Sequence, residues 1–141
     1  MTDPIQERVR TAVGAALDKK AFDLDVLSVA ELTSIADYFI LCSAGSERQA
    51  ASIADAIQEK LREENKVKPL LVEGTNPGRW VLLDYGDFIV HIFTEDTRRF
   101  YGLERLWGDA PNVTEGFASE TALRFARSGD AAAPRNARKT S

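Results

Sequence analysis

Two short apolar runs joined at a glycine constrain this chain more than any other feature. Trp80-Val81-Leu82-Leu83-Asp84-Tyr85 leads through Gly86-Asp87 into Phe88-Ile89-Val90-His91-Ile92-Phe93. Both runs are rich in β-branched and aromatic residues and too short for helices, and a Gly-Asp turn separates them. They read as a hairpin of two strands, about 80–85 and 87–93. Side chains alternate across a strand, so Trp80, Leu82 and Asp84 share one face while Val81, Leu83 and Tyr85 share the other. One face packs on helices and the other is left for docking; alternation alone does not say which. Thr94 to Phe100 then reads as one or two helical turns, followed by Tyr101-Gly102-Leu103-Glu104-Arg105-Leu106-Trp107. Both tryptophans and two of the three tyrosines of the chain fall in this stretch.

The elements around the hairpin follow from local signals. Asp3 precedes Pro4 and Gln6 as an N-cap, and apolar residues from Ile5 to Leu17 recur at three- and four-residue spacing. Residues 4–20 are therefore an amphipathic helix. Phe22 to Ala30 reads as a strand, and Leu32 to Asp37 as a turn. Tyr38 to Cys42 is a continuous apolar run, as expected of a strand covered on both faces. Gly45 ends it, and Ser46 with Gln49 forms a capping-box pattern. Ala50, Ile53, Ala54, Ile57 and Leu61 line one face of the helix that follows, which runs to about Asn65. Pro69 to Val72 is a short strand, and Glu73 to Arg79 is a loop by composition. Thr94 caps the last short helix, with acidic residues in its first turn and Arg98 and Arg99 near its end, complementing the helix dipole. The order is helix, strand, strand, helix, three strands, short helix. That order specifies one α/β domain with a mixed sheet of about five strands flanked by helices.

A chain of 141 residues is long enough to bury roughly two thirds of its unfolded surface in a single domain. The longest apolar runs fall far short of the roughly 20 residues that cross a bilayer. The first residues lack the basic start and apolar core of a secretory signal. Cys42 is the single cysteine, so no internal disulfide forms, and a reducing cytoplasm is the expected location. After Trp107 the large apolar residues thin out. The division expected is a domain over 1–110 and a low-complexity, largely disordered tail over 111–141, with one weak helix near 118–127. The tail carries five basic and three acidic residues, a net of +2, so the body must carry −6 to reach the chain's −4. An acidic body is a poor primary ligand for nucleic acid and suits a basic protein partner better.

Three chemical readings compete with a binding role. Gly45-Ser46 at a strand-to-helix junction resembles the phosphate-holding step of nucleotidyltransferases, but no acidic pair one residue apart follows it to bind two metal ions. Asp23 and Asp25 have that spacing but precede the Gly-Ser, on another strand. His91 is the only histidine, and without suitably spaced Cys, Asp or Glu ligands it reads as a hydrogen-bonded structural residue rather than a metal ligand. Arg98, Arg99 and Arg105 near Tyr101 and Trp107 form a basic-aromatic mix that could stack on RNA bases, diluted by Glu95, Asp96, Glu104 and Asp109. No catalytic, cofactor or metal residues are assigned. A metal-dependent nucleotidyltransferase and an RNA-binding adaptor remain the alternatives to a protein-binding module.

Several motifs in one order point to a known family. Thr33-Ser34-Ile35-Ala36-Asp37-Tyr38-Phe39, Ser46-x-Arg48-Gln49 and the hairpin from Trp80 to Asp87 come first. Val90-His91-Ile92-Phe93 and Tyr101-x-Leu103-Glu104-x-Leu106-Trp107 follow. Together they resemble the ribosomal silencing factor family, also called RsfS or Iojap, over about residues 5–108. The resemblance implies a fold similar to nucleotidyltransferases without their active site, and no enzymatic activity or cofactor. It also implies binding to a large-subunit ribosomal protein of the uL14 type, a block on subunit joining that lowers translation when nutrients are short, and a capacity to form homodimers. The residues expected to face the partner are Trp80, Leu82, Asp84, Leu103, Glu104, Leu106 and Trp107, with Arg79 and Tyr101 at the rim. Direct nucleic-acid contact and membrane association are not expected.

Overall fold

A computed structural model describes residues 3–102, 105, 107–119 and 122–123. Helix α1 spans Pro4–Asp18 and strand β1 Phe22–Ser28. Strand β2 spans Tyr38–Ala44, helix α2 Glu47–Asn65 and strand β3 Leu71–Glu73. Strand β4 spans Trp80–Asp84, strand β5 Phe88–Thr94 and helix α3 Glu95–Tyr101. The strands form one sheet in the order β1-β2-β5-β4-β3. The central pair β2 and β5 is parallel and the other pairs are antiparallel, as a mixed sheet requires.

Alternation along the strands divides the interior into two layers. Val26, Ile40, Cys42, Val81, Leu83, Val90 and Ile92 point to one side, where α1 and α2 cover them. The helices contribute Val9, Val13, Ile53, Ile57 and Leu61 there, together with alanines that let α1 approach closely. The odd-numbered partners Leu27, Phe39, Leu41, Ile89 and Phe93 point to the other side and form a smaller cluster, against which Trp80, Leu82, Trp107 and Ala110 pack. Neither α1 nor α2 contributes to this second cluster. The hairpin question is thereby answered: Val81 and Leu83 face the helices, and Trp80 and Leu82 face away from them.

Two caps differ from their sequence reading. Ser46 Oγ accepts from the Gln49 N–H at 3.0 Å, but Gln49 Oε1 accepts from Gly45 rather than from Ser46. The amide nitrogen of Gln49 instead donates to the carbonyls of Lys19 and Lys20, so one side chain ties α2 to the end of α1. Thr94 occupies the N-cap position of α3 without bonding a backbone N–H, because its hydroxyl pairs with Thr97 Oγ1 at 2.8 Å. Residues 111–118, expected to open the tail, pack on the domain. Ser28 donates to Pro111, Val113 to Val26, and Phe117 meets Tyr38 edge-on at 5.5 Å. The outer edge of β1 offers free backbone groups, and this short segment satisfies them. Residues 120–121 and 124–141, and with them most of the helix expected near 118–127, lie outside the described residues.

Candidate functional site

The sheet face opposite α1 and α2 carries both tryptophans, with Phe39, His91 and Phe93. Trp80 starts β4 opposite Phe93 on β5, and the two rings lie 5.1 Å apart. Gly74 secures that placement: its φ of +82° is open to glycine, and a Cβ there would overlap the Trp80 carbonyl oxygen. Tyr101, at the end of α3, lies over Trp80 at 4.9 Å and is 56% exposed. Trp107 meets Phe39 edge-on at 5.0 Å with an interplanar angle of 88°, a favoured aromatic geometry. Phe39 in turn contacts His91 at 5.2 Å, which contacts Trp80. The two tryptophans therefore belong to one continuous aromatic surface, each half-buried.

His91 lies at the centre of this surface. It is 6% exposed, and its Nδ1 accepts the Trp80 indole N–H at 3.1 Å. A nitrogen that accepts carries no proton, so the neutral ring holds its hydrogen on Nε2, which is buried without a partner. Burial pushes the imidazole pKa down from 6.5 to about 4. The sequence reading of a hydrogen-bonded structural histidine agrees with this geometry.

The other expected partner-facing residues divide. Leu82 is half-buried on the same face, paired in register with His91. Asp84 lies on β4 too, but its Oδ1 accepts from the Gly86 N–H at 2.8 Å, so the carboxylate also builds the hairpin turn. Arg79 is exposed and ion-paired with Glu47 at 3.1 Å, beside a polar cleft of about 360 Å³ lined by Gly45, Ser46, Thr94 and Asp96. Leu103, Glu104 and Leu106 lie outside the described residues. Phe100, 81% exposed, was not among the expected residues. The signal for it was present: Phe100 and Tyr101 are adjacent on a helix, about 100° apart, and cannot both turn inward on one narrow face.

The basic-aromatic reading loses a member. Arg98 is buried and bonded to Asp25 at 3.0 Å, to Ser43 Oγ at 2.9 Å and to the Asp23 carbonyl, so it is not offered to a nucleic acid. Asp25, one of the two carboxylates with metal-pair spacing, is committed to that interaction. Among the described residues no group of three or more His, Cys, Asp or Glu is arranged to hold a metal ion. Cys42 is buried, and burial pushes its thiol up to about 12, which keeps it from acting as a nucleophile. Among the described residues no helix is long and apolar enough to cross a membrane.

Fold and site define a class: a two-layer α/β domain whose second sheet face carries a partly exposed aromatic cluster in place of a second pair of long helices. Its relatives give that class a name. The family model described as "Ribosomal silencing factor during starvation" matches residues 2–141, and the chain belongs to this family. It is 43% identical over 108 residues to the ribosomal silencing factor RsfS of Halalkalibacterium halodurans, covering 77% of this chain and 92% of that one. It is 37% identical over 108 residues to the chloroplastic protein Iojap of Zea mays, covering 75% of this chain and 46% of that longer one. A crystal structure of a Chromobacterium violaceum protein superposes with a TM-score of 0.71 at 38% identity, covering 74% of this chain and 86% of that one.

Proposed function

We propose that this chain docks on the large ribosomal subunit through a ribosomal protein of the uL14 type and thereby blocks association with the small subunit. The observation that carries the reading is the aromatic surface of half-buried Trp80 and Trp107 and exposed Tyr101 on the face that α1 and α2 leave uncovered. Tryptophan and tyrosine are enriched among residues that dominate binding energy, and the −6 body complements a basic partner. Leu82, Asp84, Leu103, Glu104 and Leu106 extend this surface in the proposal, with Arg79 at its rim. The mechanism is occlusion: a domain seated where the subunits meet makes the two binding events mutually exclusive. It takes place in the cytoplasm and involves no turnover or cofactor.

Co-sedimentation tests the reading directly. The protein is expected to pellet with free large subunits, but not with small subunits or joined ribosomes, and in excess to keep added subunits apart. Trp80→Ala and Trp107→Ala are each expected to weaken large-subunit binding by about 30-fold, the equivalent of about 2 kcal/mol, with native circular dichroism. Unchanged binding in both variants would put the docking face elsewhere. Nucleoside triphosphates with magnesium or manganese are expected neither to raise the melting temperature nor to be consumed. A stabilisation of several degrees would return the enzymatic reading.

A further inference from the structure

We infer that Asp25 is a positioning residue for the docking surface, its two carboxylate oxygens holding the two ends of the segment that carries Tyr101 and Trp107. The inference rests on the docking role proposed above. Asp25 Oδ2 accepts from Arg98 at 3.0 Å, and Oδ1 accepts from Asn112 Nδ2 at 3.1 Å. Arg98 and Asn112 bracket the segment in sequence, so one side chain bonds it where it leaves α3 and again where it returns to the sheet, beside the backbone bonds of Pro111 and Val113 to β1. The register shift between Phe22 and Asp25, with Asp23 at a φ of +49°, leaves Asp25 opposite Leu41. Leu41 belongs to the face opposite α1 and α2, so the carboxylate is on the side where Trp107 packs.

Both anchors are themselves held. Arg98 bonds Ser43 on β2 and the Asp23 carbonyl, which links α3 to two strands. Asn112 Oδ1 accepts from the Thr114 N–H and hydroxyl, and Thr114 Oγ1 accepts from the Val26 N–H at 2.8 Å. Such a network tolerates few alternative arrangements, since any that unpairs the buried charge is costly. A surface whose aromatic side chains are already in place loses less freedom on binding, and affinity rises accordingly. Generic packing would hold the segment against the sheet, whereas directional bonds to a single carboxylate set its two ends relative to each other.

Asn112→Asp isolates this link. It sets an acceptor against Asp25 Oδ1 while keeping an oxygen for Thr114, and Asn112 is exposed, so the fold survives. Large-subunit affinity is expected to fall about tenfold in the parent and less than about twofold in a Trp107→Ala background, because coupled residues are non-additive. In a Trp80→Phe background, where Trp107 is the only tryptophan, Asn112→Asp is expected to increase acrylamide quenching. Unchanged parent affinity, equal losses in both backgrounds, or unchanged quenching would each overturn the clamp. A Trp107→Ala protein that binds like the parent would instead overturn the docking role, and the clamp's purpose with it.

Discussion

Arg98→Met is expected to lower the unfolding free energy by about 3–5 kcal/mol, because it strips the counter-charge from a carboxylate that stays buried. The Arg98 and Asp25 side chains are 6% and 5% exposed, so water cannot replace the lost partner. Arg98 also leaves two acceptors behind, Ser43 Oγ and the Asp23 carbonyl. Urea denaturation followed by circular dichroism gives the measurement, read as a shift of midpoint at constant slope. Combining Arg98→Met with Asp25→Leu is expected to recover more than half of the loss, since paired apolar replacements of buried ion pairs are often close to neutral. A loss below about 1 kcal/mol for Arg98→Met alone would mean that the pair is not the tie between α3 and the sheet.

The second large effect is acid destabilisation through His91. The folded pKa is about 4 and the unfolded value 6.5, so the unfolded chain binds the proton more readily over that range. Stability therefore rises with pH across the interval and falls as the medium is acidified from 6.5 to about 4. The gap of about 2.5 pH units corresponds to about 3 kcal/mol. From about one pH unit above 6.5 the ring is essentially neutral in both states and adds no slope. Protonation also puts a hydrogen on Nδ1, which then cannot accept the Trp80 indole N–H. Carboxylates titrate in the same range, so the comparison is with His91→Phe, whose melting temperature is expected to fall less steeply between pH 6.5 and 4.5. Parallel slopes for the two proteins would contradict the assignment.

Much of the architecture was legible without coordinates because local rules and tertiary packing agree. Asp3 accepts from the N–H groups of Ile5 and Gln6 as its position before Pro4 implies, and α2 ends at Asn65. The alternation of 80–93 correctly grouped Trp80 with Leu82 and Val81 with Leu83. The candidate site was less legible. The mixture of Arg98, Arg99 and Arg105 with aromatics looked like one surface patch, yet Arg98 turns inward to Asp25, far away in sequence. Gln49 fitted a capping box, but its amide found partners in the turn just past the end of α1. In each case a long polar side chain had both a local and a distant partner, and only the distant geometry decides between them.

By itself the sequence determined the elements and the pairing of side chains into faces, because helical and strand periodicities are set by backbone geometry alone. The tertiary structure decided which sheet face α1 and α2 cover, which charges are buried and where the segment bearing Trp107 is tied down. Those outcomes depend on which residues distant in the chain meet: residues of α1 and α2 join Val81 and Leu83 in one core, and Arg98 and Asn112 both reach Asp25. No local pattern carries that information, since the strands present apolar residues to both sides and the charged groups find their partners only once the sheet has formed.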